Sequence, residues 1–222
     1  MADFSKFFRV MQGHEGGFAD NPSDKGGMTF RGIAYNFHPE WAGWPTVLAA
    51  MKALGISRPV AYASWAMIDR HVAGNAALSK MVEQFYKAKY WNPLRLDEVE
   101  SQSIATQLAD FGVNAGTSRP AKLVQYVLAK ELEIEGIAVD GIIGRKTINA
   151  LNAAPAAVVY DHLIQMRRAF HTYRANAWKA EDNRSLAAWH TFFHTELKLR
   201  PDASQRKFLN AWLSRTTAPF VA

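Results

Sequence analysis

The stretch FSKFFRVMQGHEGGFADNPSDKGGMTFRGI, residues 4–33, decides how the rest of the chain is read. Phe4, Phe7, Phe8 and Met11 recur at i, i+3, i+4 and i+7, the spacing of one helical face. Glu15 lies four residues past Met11 and continues that stripe. Gly16-Gly17 then supply the left-handed residue on which helices stop. The spacing predicts a helix that delivers one carboxyl group to the edge of an apolar core and halts there. An acid half-desolvated in this way has a raised pKa and serves as a proton donor near neutral pH. The plainer reading of Glu15, a surface glutamate in a turn, is the one this helix alone favours. Beyond the glycines come a second acid, Asp24, and Gly26-Gly27-Met28-Thr29, with a small hairpin expected around residues 28–33.

Composition bounds the rest. The chain has 222 residues, 49% hydrophobic and 12% aromatic, enough for one large domain or two small ones with a real core. There is no cysteine, which excludes disulfide frameworks, thiolate zinc sites and cysteine nucleophiles. The formal net charge of +6 suits a polyanionic partner such as nucleic acid, anionic lipid or an acidic wall polymer. Lys and Arg are scattered with no run of four, so a nucleic-acid arm is not supported. No signal peptide and no run of about 18 apolar residues is visible, so the reading is cytoplasmic synthesis without membrane insertion.

Nearly every periodic segment outward from this stretch has a helical period. Pro45 is expected to open a helix running to Gly55, and Pro59 another through Trp65 and Ile68 to His71. Further helices are expected at 76–90, 103–115, 121–133, 145–152, 156–178, 184–198 and 204–215. Tyr35, Phe37, Trp41 and Trp44 form a dense aromatic patch, read first as a satellite of the core and second as a sugar platform. The pattern pauses after Asn92-Pro93. The expected architecture is all-α and lysozyme-like: two closely packed helical lobes, 1–95 and 96–222, with a glycine-rich active-site loop or small hairpin.

Two acids in one glycine-rich loop are the minimum equipment for glycoside hydrolysis, one protonating the leaving oxygen and the other serving water or the oxocarbenium-like transition state. Glu15-Gly16-Gly17-Phe18, Asp24 nine positions after Glu15, Gly26-Gly27-Met28-Thr29 and Gly32-Ile33 together resemble the signature of glycoside hydrolase family 108, the N-acetylmuramidases of phage endolysins and related bacterial proteins. Residues 85–94 are similar to the segment that closes that family's catalytic region. Asp110 to Gly116, Asp140-Gly141-Ile142-Ile143-Gly144 with Thr147, and residues 208–215 resemble its C-terminal peptidoglycan-binding-type region. Arg31 departs from the pattern, standing where an aromatic residue is usual, and Ala211 replaces a glycine.

The resemblance implies a peptidoglycan hydrolase that cleaves the β-1,4 bond between N-acetylmuramic acid and N-acetylglucosamine. It implies Glu15 as catalytic acid. Asp24 is read as positioning the water and Thr29 as helping to hold it. Arg31, Tyr90, Asp110 and Asn114 are read as substrate-binding. No cofactor and no metal are implied. Peptidoglycan is the partner of an enzyme acting as a monomer, held in the host cytoplasm until a holin releases it towards the wall. The alternatives are a lytic transglycosylase using Glu15 alone and a non-catalytic wall-binding or secretion-assisting protein.

Other constellations weigh less. His190 and His194 have zinc-ligand spacing, but Thr191 stands where a zinc protease has glutamate. Asp110 and Asn114 share a helix face, and two readings stand level: a core hydrogen-bond pair, or a cleft wall holding sugar or peptide. Asp140 is expected to satisfy the N–H groups of its own tight loop. Arg167, Arg168, Arg174 and Arg184 are read as a solvated basic face.

Overall fold

A computed structural model of the protein describes residues 1–14, 16–21, 26–178 and 184–221, with the side chains of 13, 14, 184 and 185 excepted. The described residues are mostly helical and include one small three-stranded sheet. They fall into two units, Phe8–Lys89 and a larger one made of Met1–Phe7 with Tyr90–Ala222. The division differs from the expected 95/96 boundary. Phe4 and Phe7 pack against Trp91, with ring centroids 5.5 and 5.6 Å away, and this non-local contact ties the first residues to the C-terminal part. No helix among the described residues is long and apolar enough to cross a membrane.

The smaller unit takes the second half of α1 (Phe4–His14), then α2 (Trp44–Ala53), α3 (Trp65–Val72) and α4 (Ala76–Tyr86). Pro45 opens α2 as expected, and the Asn75 side chain caps α4 by accepting the Leu78 N–H at 2.9 Å. Pro59 does not open a helix. The next N–H, that of Val60, is given to Asp20 Oδ2 at 3.0 Å, and α3 begins only after a 3-10 turn at Tyr62–Ser64.

The sheet holds β1 (Phe18–Asp20), β2 (Met28–Phe30) and β3 (Ile33–Ala34), antiparallel and in that order. The expected hairpin is present, with a third strand added. Phe18, Met28, Phe30 and Ile33 are buried on its inner side. Ala19, Thr29 and Ala34 stand opposite one another on the half-buried side. Beneath the inner side lies the aromatic patch. Trp41 stacks on Phe30 at 6.2 Å, Trp44 meets Trp41 edge-on at 5.2 Å, and the Trp44 Nε1–H donates to the His38 carbonyl at 2.8 Å. Trp41 and Trp44 are thus core residues, while Phe37 remains exposed.

The larger unit is helical: α5 (Gln102–Ala115), α6 (Ser118–Tyr126), α7 (Arg145–Ala153), α8 (Ala156–Arg174), α9 (Arg184–Thr195) and α10 (Arg206–Ser214). The helix expected at 121–133 continues past α6 as a π-helical turn, Val127–Glu131. At the centre, Asp110 of α5 accepts hydrogen bonds from Arg167 of α8 and, at 2.7 Å, from Arg215. Gln107 Oε1 takes a further Arg167 N–H at 2.6 Å. Arg167 is only 2% exposed, so it does not belong to the solvated basic face expected from sequence. Arg174 lies over the Trp212 ring, and Arg168 donates to Thr216 Oγ1 at 3.0 Å.

The loop at Asp140 has the expected form. Asp140 Oδ1 accepts the Ile142 N–H and a Gln125 amide N–H, both at 2.8 Å, and these bonds hold its pKa below the ordinary carboxylate value. Gly141 has φ +84°, and a Cβ there would meet Ser118 Oγ at 2.6 Å, so only glycine fits.

Candidate active site

The smaller unit contains a cleft of about 330 Å³. Phe8, Met11 and Gln12 of α1 form one side, and Val82 and Tyr86 of α4 another. Gly16, Gly17, Arg31 and Asp69 complete the lining. The helical stripe read from sequence places Phe8 and Met11 here because residues three apart share a face. Phe8 and Tyr86 pack with ring centroids 5.9 Å apart.

The sheet presents Arg31 through a tight turn. Phe30 pairs with Ile33, so Arg31-Gly32 form a two-residue hairpin loop, and both have positive φ, 44° and 78°. Gly or Asn suits that geometry, whereas arginine in the left-handed region costs about 1–2 kcal/mol. The turn is tied down on both sides: the Arg31 N–H donates to the Gly17 carbonyl at 3.1 Å, and the Tyr86 hydroxyl donates to the Arg31 carbonyl at 3.0 Å. The guanidinium lies 5.4 Å from the Phe30 ring centroid and donates to Ser79 Oγ at 3.3 Å. Arg31 thus holds a strained conformation at the cleft wall.

Asp69, on α3, was not marked by the sequence. Its Oδ1 accepts the Phe18 N–H at 2.8 Å. A Cβ on Gly17 would lie 2.0 Å from its Oδ2, which explains the second glycine of the Glu-Gly-Gly motif. Gly16, by contrast, has open space around it. Locally Asp69 reads as one more polar position on an amphipathic helix, and only the contact with Gly17 and Phe18, about 50 residues away, distinguishes it.

The other expected site residues fall as follows. Glu15 and Asp24 lie outside the described residues. Thr29, in β2, donates from Oγ1 to the Gly27 carbonyl at 3.2 Å and stands on the half-buried side of the sheet with Ala19 and Ala34; it does not line the cleft. Tyr90 falls in the larger unit. So do Asp110 and Asn114. Of the two readings that stood level for this pair, the geometry is that of the core. Asp110 is 4% exposed with arginines on both oxygens, and Asn114 Nδ2 donates to the Asp110 carbonyl at 2.8 Å, so the Asp110 carboxylate is spent inside the unit. His194 Nδ1 hydrogen-bonds the Tyr173 hydroxyl at 3.2 Å, and His190 packs against Tyr173 and Trp178.

Residues 8–116 match the family model of glycosyl hydrolase 108. Over these residues the chain is similar to glycosyl hydrolase 108. The match spans the whole smaller unit with its cleft and runs on through α5. At family level it supports a glycoside hydrolase acting on peptidoglycan. Among solved structures the chain is similar to Brucella abortus SagA, at 21% identity over 97% of this chain and 96% of that one, with a TM-score of 0.49. No curated protein matches the sequence.

Proposed function

We propose that the chain is an N-acetylmuramidase that hydrolyses the β-1,4 bond between N-acetylmuramic acid and N-acetylglucosamine. The observation that carries this reading is the cleft at the end of α1, inside the family-matched segment, whose lining includes Gln12 and Gly16 on either side of Glu15 in the sequence. Glu15 is the general acid. Asp24 positions the attacking water. Arg31 contacts the substrate from the cleft wall, and its strained turn supports that role. The larger unit serves as the peptidoglycan-binding region, a role that the family resemblance of the Asp140 loop supports. The phage-endolysin setting, with release by a holin, rests on the resemblance alone.

The test is turbidity loss of purified peptidoglycan with wild type and Glu15→Gln. Lysis by wild type and a loss of about 10²–10⁴-fold in the variant are expected, the usual cost of removing a general acid. Equal, negligible lysis by both would refute the enzyme reading. Mass spectrometry of the fragments separates reducing-end sugars from the 1,6-anhydro sugars of a transglycosylase.

A further inference from the structure

Asp69 is unlike Asp20, another acid of the smaller unit. Asp20 is buried beside the Arg58 guanidinium, 3.5 Å away, and accepts the Val60 N–H. Asp69 has no cationic partner among the described residues, although Arg31 lines the same cleft. Its two oxygens are used differently. Oδ1 holds the Phe18 N–H at 2.8 Å and so fixes the start of β1. Oδ2 receives no hydrogen bond from a described residue. Gly17 lets that oxygen approach the backbone, since any Cβ there would collide with it. The walls around it are largely apolar, with Phe8, Met11 and Val82 among the lining residues. Asp69 is half-buried and lines the cleft, so this oxygen is open to a ligand N–H or O–H, and a hydrogen bond to a charged acceptor is among the stronger ones.

We infer that Asp69 is a substrate-contacting residue of this cleft: Oδ2 accepts a hydrogen bond from the acetamido N–H of an N-acetylated amino sugar, whose methyl group packs on the apolar wall. The inference rests on the muramidase reading of the cleft. One side chain then performs two tasks. It braces the strand that follows Gly16-Gly17, and it reads the acyl group that distinguishes wall glycans from plain hexose polymers.

Asp69→Asn separates the tasks. Asparagine keeps an acceptor for the Phe18 N–H but puts an NH₂ donor where the acetamido N–H needs an acceptor. The β-1,4-linked tetramer of N-acetylglucosamine is titrated calorimetrically into full-length Glu15→Gln and into Glu15→Gln/Asp69→Asn. A roughly 10- to 100-fold weaker affinity in the double variant, with Tm within about 2 °C of the parent, is expected for the loss of a hydrogen bond to a charged acceptor. Equal affinities would overturn the inference. So would a loss seen only in Asp69→Ala and accompanied by a falling Tm, which would leave Asp69 as a brace. In the Glu15 background, Asp69→Asn is expected to raise KM for peptidoglycan more than it lowers kcat. Wild-type lysis with unaltered kinetics in Asp69→Asn would refute this role and leave the muramidase reading intact. No tetramer binding by the parent, together with no lysis by wild type, would overturn both.

Discussion

Replacing Asp110 by asparagine separates a core role from a substrate role at a residue that the sequence left between the two. The carboxylate is 4% exposed and faces Arg167, which is 2% exposed, and Arg215. Burial pulls the Arg167 pKa down, and Asp110 opposes that pull by its charge and hydrogen bond. Without the carboxylate, two guanidinium groups converge on Gln107 and an uncharged amide. Breaking a buried pair by removing one partner costs about 3–5 kcal/mol, because the remaining charge is left uncompensated. At roughly 2–4 °C per kcal/mol for a protein of this size, Tm should fall by roughly 6–20 °C. Circular dichroism during thermal and urea unfolding measures the loss. Peptidoglycan turnover well below the new Tm should be unchanged per folded molecule. Asp110→Leu combined with Arg167→Met should recover a large part of the loss, because a well-packed apolar pair replaces a buried ionic one at little cost. A variant Asp110→Asn that keeps its Tm but loses kcat/KM would refute this reasoning and return Asp110 to the substrate.

Gly17→Ala places a Cβ 2.0 Å from Asp69 Oδ2, whereas Gly16→Ala meets nothing within 4 Å. Lysis assays should show at least a tenfold loss for the first and near-wild-type rates for the second; equal effects would mean that the approach of Asp69 to the backbone is not what selects glycine at 17. His171 is driven from its ordinary 6.5 to about 2 by burial first and then by the positive charges of Arg167, Arg174 and Arg215. The unfolded chain therefore takes up a proton below pH 6.5 that the folded chain refuses, so this contribution is intact above 6.5 and declines as pH falls towards 2. At pH 5 the decline should be about 2 kcal/mol. Urea unfolding at pH 7.5 and 5.0 should show it in wild type and not in His171→Phe.

The helices were legible because their apolar residues recur at helical spacing over ten or more positions, and because Pro45 and the glycines punctuate them. The Asp140 loop was legible for a different reason: an acid beside two glycines has few other ways to satisfy its own N–H groups. What escaped depends on distance along the chain. β1 is three residues long, too short for alternation to register, and it exists because β2 pairs with it and Asp69 holds its first N–H. The π-helical turn at Val127–Glu131 has the composition of the helix it extends. The fall in periodicity after Pro93 is local, while the Phe4, Phe7 and Trp91 cluster joins residues almost ninety positions apart. For the site, the sequence pointed to Glu15, Asp24 and Arg31, and of these Arg31 is described and lines the cleft. Asp69 has no motif of its own, and its meaning lies in what Gly17 lacks.

The assignment of Met1–Phe7 to the larger unit makes the cleft-bearing unit an insertion in the chain. During synthesis the inserted unit has all of its sequence once residue 89 has emerged, and it is free to close early. The host unit begins first and finishes last. Phe4 and Phe7 must wait for Trp91, and Asp110 must wait for Arg167 and then Arg215 near the end of the chain. A contact closed over so long a loop forms slowly. A ribosome-bound chain that stops short of residue 215 would therefore carry a complete cleft sequence beside a host whose central carboxylate still lacks one of its two arginines.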